Sequence, residues 1–140
     1  MSSLFKKSSS PAFQFASKVL MVRPTNFFLN AETFEDNKFM HQVNESQSVT
    51  TKKAQTEFDG FVDMLKENKV DVEVYHQIDK NAPDSVFPNN WFSTHKLNGG
   101  LFSLYPMHSP SREIEKNPAI IDKLKNKYSN FLDIKAQEVG

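Results

Sequence analysis

Residues 83–91, which read Pro-Asp-Ser-Val-Phe-Pro-Asn-Asn-Trp, combine one acid, two neutral amides and the only tryptophan of the chain. The carboxylate of Asp84 can accept two parallel hydrogen bonds from the planar fork of a guanidinium. The side-chain amides of Asn89 and Asn90 carry no charge and can both donate and accept. This combination predicts a loop that holds a polar ligand against an aromatic wall.

Residues 83–91 resemble the guanidine-modifying, or amidinotransferase, superfamily. Within it they are most similar to the citrulline-utilisation hydrolases, which are related to arginine deiminases and dimethylarginine hydrolases. The resemblance extends over residues 18–134 and implies an α/β fold in the form of a partial pentein. A pentein is a propeller of five ββαβ modules, of which this chain would supply about two. The other matching stretches are residues 19–24, Asn30, Thr33, residues 37–39, 104–107 and 109–113.

The resemblance also implies a chemistry for the family. A thiolate attacks the central carbon of a guanidino or ureido group, a histidine moves protons, and acids hold the nitrogens. By position, Asp84 corresponds to the substrate-holding acid and Arg112 to an arginine that contacts the substrate, while Phe28 and Asn30 fall in the loop that covers it. The family's cysteine and histidine come later in the chain, and this sequence contains no cysteine. We therefore expect substrate-holding residues and no catalytic residue.

Two departures from the family pattern affect the expected substrate. Asn89 and Asn90 stand where dimethylarginine hydrolases carry an acidic pair, and neutral amides suit a ureido group such as that of citrulline better than a permanent cation. Glu113 replaces a second arginine. Simpler interpretations stay open. Asp84 could cap the turn after Pro83, the two asparagines could be turn formers, Trp91 could pack in a hairpin and not against a ligand, and Arg112 could form a surface ion pair with Glu113 or Glu115.

The composition narrows the range of partners. The 17 basic and 17 acidic residues balance, which gives no electrostatic reason to expect a nucleic acid or an anionic membrane. No apolar run approaches the ~20 residues that span a bilayer. Without cysteine there is no thiolate metal ligand, and we expect no metal and no cofactor. The histidines are not at metal-ligand spacing; they are His41, His76, His95 and His108. The expected partner is a small guanidino or ureido amino acid.

The first 17 residues are rich in serine and carry Lys6 and Lys7 but no acid. We predict a flexible tail here and a cytoplasmic protein, with a mitochondrial targeting peptide as the alternative. Residues 18–140 would form the N-terminal portion of a pentein-type catalytic domain.

The apolar patterns predict alternating strands and helices, and hence an α/β domain. Helix-period positions predict a helix over residues 48–68, and alternation predicts a strand over residues 70–75. Asn117 as cap and Pro118 as first residue predict the start of a second helix. The remaining predicted strands cover residues 18–22, 85–87, 91–95, 101–105 and 131–134, with a hairpin turn at residues 98–100.

Three hypotheses about the whole chain stay open. It is the incomplete, inactive product of a hydrolase gene, a non-catalytic small-molecule binder that keeps Asp84 and Arg112, or an unrelated α/β interaction module. The abrupt end after a strand favours the first. A partial propeller would leave strand edges and an apolar helix face unburied, which favours self-association.

Overall fold

The computed structural model describes residue 16 and residues 18–34, 44–96 and 99–135. Most of the predicted tail, the matching residues 37–39, His41 and Asn98 lie outside the described residues. The described elements follow the order β1 (Lys18–Arg23), α1 (Ala31–Phe34), α2 (Gln47–Glu67), β2 (Asp71–His76), a 3-10 helix (Pro88–Asn90), β3 (Phe92–His95), β4 (Leu101–Leu104), α3 (Pro110–Glu113), α4 (Pro118–Lys127) and β5 (Asn130–Asp133).

The first sheet consists of β1 and β2, which pair in parallel from Lys18 opposite Asp71 to Arg23 opposite His76. Parallel strands need a crossover, and α2 supplies it. Lys69 turns the chain out of the helix with a positive φ of 63°, so that β2 starts two residues later. The predicted helix and both predicted strands are confirmed to within a residue or so.

The second sheet has the order β3-β4-β5, with β3 and β4 antiparallel and β4 and β5 parallel. α4 provides the crossover, so the chain order β3-β4-α4-β5 is that of a ββαβ unit once the short α3 is set aside. The side chain of Asn117 accepts a 2.9 Å hydrogen bond from the backbone N–H of Ala119, and Pro118 follows the cap, as the sequence predicts.

The prediction of a strand over residues 85–87 is wrong. The segment forms consecutive turns, in which the N–H of Ser85 bonds the carbonyl of Ala82 and the N–H of Phe87 bonds that of Asp84. Prolines at both ends explain the difference, because they lack the N–H that a ladder needs. Polar residues that favour turns lie between them. These turns carry Asp84.

One apolar core joins the two sheets. Val22 of β1 belongs to the same buried cluster as Trp91, Phe102, Ile120 and Leu124. The structure confirms a small mixed α/β fold, and the partial propeller stays a prediction. Within the described residues, no helix has the length and apolar character needed to cross a membrane.

Candidate functional site

The loops that follow β1 and β2 leave the same end of their sheet because the two strands are parallel. The buried side chain of Gln77 ties these loops together. Its Oε1 accepts hydrogen bonds from the backbone N–H groups of Thr25 and Asn26, both at 2.9 Å. Its Nε2 donates to the carbonyls of Asp79 and Ala82, at 2.8 and 2.9 Å. The two loops are thereby held side by side.

Asn30 comes from the first of these loops and Asp84 from the second, and their side chains meet. The buried amide of Asn30 donates from Nδ2 to Oδ2 of Asp84 at 2.7 Å. The same Nδ2 lies 3.4 Å from Oγ of Ser111. The carbonyl of Asp84 closes its own turn by accepting the N–H of Phe87. The carboxylate is therefore directed across to the neighbouring loop instead of capping the turn after Pro83.

Arg112 of α3 is held between two carboxylates. Its Nε donates to Oε1 of Glu115 at 2.6 Å, and its Nη2 donates to Oε2 at 3.2 Å. Its Nε also lies 3.8 Å from Oδ2 of Asp84, an ion-pair contact too long for a hydrogen bond. The predicted alternative of a surface pair with Glu115 names the correct partner. However, the Glu115 side chain is 0% exposed, so this ion pair does not lie on the surface.

The charges of Asp84, Arg112 and Glu115 determine which ligands the cluster favours. Burial raises the pKa of the Glu115 carboxyl, the hydrogen bond from Arg112 opposes that rise, and the charge of Asp84 adds to it. One guanidinium therefore serves two acids, and the cluster is negative when both are ionised. Such a cluster favours a ligand that donates hydrogen bonds or carries positive charge.

Asp84 and Arg112 each keep one polar atom that the described residues do not use. Oδ1 of Asp84 accepts no hydrogen bond from a described residue, and Nη1 of Arg112 donates none to one. Neither atom is among the buried polar atoms that lack a partner, so both reach solvent. The two side chains are 14% and 16% exposed. A ligand can thus reach one acceptor and one donor without breaking an existing contact.

A comparison with protein families places this cluster in a known context. Residues 23–139 match the family model described as N,N dimethylarginine dimethylhydrolase, eukaryotic. The chain belongs to this family. The match includes Asn30, Asp84, Arg112 and Glu115, and it confirms the resemblance to guanidine-modifying enzymes, while the citrulline-utilisation branch stays a prediction. Neither the curated proteins nor the solved structures gave a match.

Other predicted contacts of this dimethylarginine dimethylhydrolase family member lie apart from the cluster. Asn89 and Asn90 are exposed on the 3-10 helix, where Nδ2 of the first lies 3.4 Å from Oδ1 of the second. Among the described residues, no polar contact links either asparagine to Asp84 or Arg112. Phe28 is half-buried in the loop that carries Asn30. The roles of these three residues as ligand contacts stay predictions.

A cleft of about 710 Å³ lies between β1, β3 and α4. Asn89 lines it, but the cluster of Asn30, Asp84 and Arg112 does not. Its walls are mostly apolar, and three of its charged side chains, Lys18, Glu73 and Lys123, pair with one another. Specific binding of a small molecule requires convergent polar groups as well as volume. The cluster supplies such groups at the positions to which the resemblance assigns substrate contacts, so we place the candidate site there.

Glu73 lines this cleft, and its neighbour Tyr75 on the same strand has a perturbed pKa. Glu73 pairs with Lys123 and accepts a 2.6 Å hydrogen bond from the hydroxyl of Tyr75. Burial and this carboxylate together raise the pKa of Tyr75 to about 12. The ion pair between Glu73 and Lys123 connects β2 to α4 and thus stabilises the contact between the two sheets.

The remaining residues with chemical potential lie elsewhere. Trp91 is 1% exposed and packs in the core, and its Nε1 lacks a partner among the described residues. It therefore forms no pocket wall. His95 lies within 2.8 Å of Ser93 Oγ. Within residues 18–34, 44–96 and 99–135, no group of three or more His, Asp or Glu side chains is placed to hold a metal ion.

Sequence reasoning did not assign three residues to the site: Ser111, Gln77, and Glu115, which it named only as a possible surface partner of Arg112. Glu115, two residues after α3, resembles any solvated acid, and Ser111 resembles any polar residue. The burial of Glu115 arises from how this segment packs, for which the sequence gives no periodic signal. Gln77 had one usable signal: it is an uncharged polar residue two positions after the predicted strand 70–75, where loops at a sheet end need hydrogen-bond partners.

Proposed function

We propose that this chain binds a guanidino or ureido amino acid through Asp84 and Arg112, as the substrate-holding part of a hydrolase that acts on C–N bonds. The ligand class includes arginine, its methylated forms and citrulline. The observation that carries the proposal is that Oδ1 of Asp84 and Nη1 of Arg112 make no hydrogen bond with a described residue. The other polar side-chain atoms of the two residues all have partners.

The two open atoms suit the two ends of such a ligand. Asp84 Oδ1 accepts an N–H of the guanidino or ureido group. Nη1 of Arg112 donates to no described residue and can donate to the α-carboxylate. The charge of the cluster accommodates a ureido group or a cation. The preference for a ureido group rests on the family pattern alone, in which the amides of Asn89 and Asn90 replace charged acids.

The resemblance assigns bond cleavage to a cysteine thiolate, and none of the 140 residues is cysteine. The proposal for this chain is therefore limited to holding the substrate. We expect the chain by itself to release no amine from dimethylarginine and no ammonia from citrulline. Release by the isolated chain, lost in Asp84→Ala, would show that another nucleophile serves.

Calorimetric titration with citrulline, arginine and N,N-dimethylarginine tests the binding. We expect saturable binding, weakened by about 10–100-fold in Asp84→Ala because a charge-assisted hydrogen bond is lost. Asp122→Ala, an exposed acid of α4, is the matched control and leaves the affinity unchanged. Absence of heat with all three ligands contradicts the proposal. Tighter binding of arginine than of citrulline contradicts only the ureido preference.

A further inference from the structure

The buried carboxylate of Glu115 has no role in the ligand contacts proposed above, yet it makes the two hydrogen bonds of Arg112. Nε bonds Oε1 at 2.6 Å and Nη2 bonds Oε2 at 3.2 Å. Both bonds involve the same edge of the planar guanidinium, which fixes its plane as well as its position. Glu115 therefore determines the direction in which the remaining edge of Arg112 points.

Asp84 is the competing partner for this guanidinium. Its Oδ2 is already 3.8 Å from Nε of Arg112, and opposite charges at such separations attract strongly inside a protein. An arginine free to rotate would close on Asp84 and occupy the acceptor that a ligand needs. The bidentate pair with Glu115 keeps the two groups apart.

From this geometry we infer that Glu115 is a positioning residue that holds Arg112 so that its Nη1 end stays open to a ligand carboxylate and Asp84 Oδ1 stays open to the other end of the ligand. The arrangement itself follows from the contacts within the chain. Its effect on the ligand rests on the proposed function.

The arrangement can be tested without a ligand. In nitrogen-resolved NMR spectra of the full chain, the Nε–H signal of Arg112 is assigned as the signal that is absent from the spectrum of Arg112→Lys. We expect its hydrogen exchange to be about tenfold faster in Glu115→Gln, because a neutral acceptor replaces a charged one. Glu57→Gln, an exposed acid of α2, is the control and leaves the signal unchanged. An unchanged Arg112 signal in Glu115→Gln overturns the inference.

The effect on the ligand is tested with arginine and with agmatine, which lacks the carboxylate. We expect Glu115→Gln to weaken arginine binding about tenfold and to leave agmatine binding unchanged. Asp84→Asn weakens both. Equal weakening of both ligands by Glu115→Gln would mean general structural support and would overturn positioning. If the unmodified chain binds neither ligand, the proposed function fails, and the exchange measurement still decides whether Glu115 holds Arg112.

Discussion

Asn30 and Asp84 are 54 positions apart in the chain, and a 2.7 Å hydrogen bond joins the amide of the first to the carboxylate of the second. The contact exists because β1 and β2 are parallel neighbours whose following loops are tied by Gln77. It engages one oxygen of Asp84 and leaves the other to solvent. The orientation of the candidate ligand acceptor is thus a product of tertiary structure.

Asn30→Asp converts this hydrogen bond into a contact between two carboxylates. At pH 7 we expect the free energy of unfolding to fall by about 2–4 kcal/mol, because two like charges meet in a partly buried place. The loss shrinks as pH falls, since one carboxyl then takes up a proton and donates to the other. Urea unfolding at several pH values measures this. Asn126→Asp, exposed on α4, is the control, and equal losses in the two variants would contradict the prediction.

Gln77→Leu removes the side chain that ties the two loops. We expect a loss of about 2–3 kcal/mol in the free energy of unfolding, because one buried and three partly buried backbone groups lose their partners. Ligand affinity should fall with it, since Asn30 and Asp84 sit on the released loops. Gln47→Leu removes one exposed side-chain hydrogen bond, to Oδ1 of Asn26, and should cost clearly less, about 0.5 kcal/mol. A stable Gln77→Leu variant with normal binding would show that the loops keep their places without this amide.

Sequence patterns were sufficient for the elements with strong periodicity. The helical spacing of α2, the alternation in β2 and the cap of α4 are local signals, and the structure follows them. The apolar pattern of residues 85–87 suggested a strand, but the flanking prolines favour turns. Periodicity alone does not detect this effect of the prolines. The grouping of Asn30, Asp84 and Arg112 depends on strand order and on the packing of α3, so only the resemblance pointed to these three positions and no pattern could predict the burial of Glu115.

Glu115 gives the stability a defined pH dependence. Burial raises its pKa above the ordinary 4.5. The hydrogen bond and charge of Arg112 oppose this rise, and the charge of Asp84 adds to it. The folded state therefore holds the proton more tightly than the unfolded state, and this contribution to stability is present below pH 4.5 and is lost as pH rises through the raised pKa. We expect the stability of Glu115→Gln relative to the unmodified chain to increase over that window. Urea midpoints across the range measure it, and a decrease would mean that Arg112 outweighs burial.

Tyr75 should ionise at an unusually high pH. Its pKa is raised to about 12 from 10.0, first by burial and then by the hydrogen bond to Glu73. The folded state favours the neutral phenol, so this contribution to stability is lost as pH rises through about 12. Tyrosinate absorbance of the chain minus that of Tyr75→Phe isolates the group. Glu73→Gln should lower the midpoint yet leave it above 10.0, and a midpoint at or below 10.0 in the unmodified chain would contradict the structure.

Gly100 and Gly60 form a matched pair of glycines. Gly100 has a φ of 98°, and an added Cβ would lie 2.7 Å from Cδ1 of Tyr128, whereas a Cβ at Gly60 meets nothing within 4 Å. We expect Gly100→Ala to cost about 2–4 kcal/mol of unfolding free energy from strain and overlap. Gly60→Ala in the middle of α2 should stabilise by about 0.5–1 kcal/mol. Thermal or urea unfolding compares the two, and a tolerated Gly100→Ala would require a different turn between β3 and β4.

The single tryptophan gives this chain a built-in optical probe. Trp91 is 1% exposed and shares its buried cluster with Val22 of the first sheet, Phe102 of the second sheet and Leu124 of α4. Its emission will therefore shift to longer wavelength when the two sheets separate and water enters between them. Trp91 lies seven positions after Asp84, so the same unlabelled fluorophore can report both the undocking of the sheets and any rearrangement of the loop when a ligand binds.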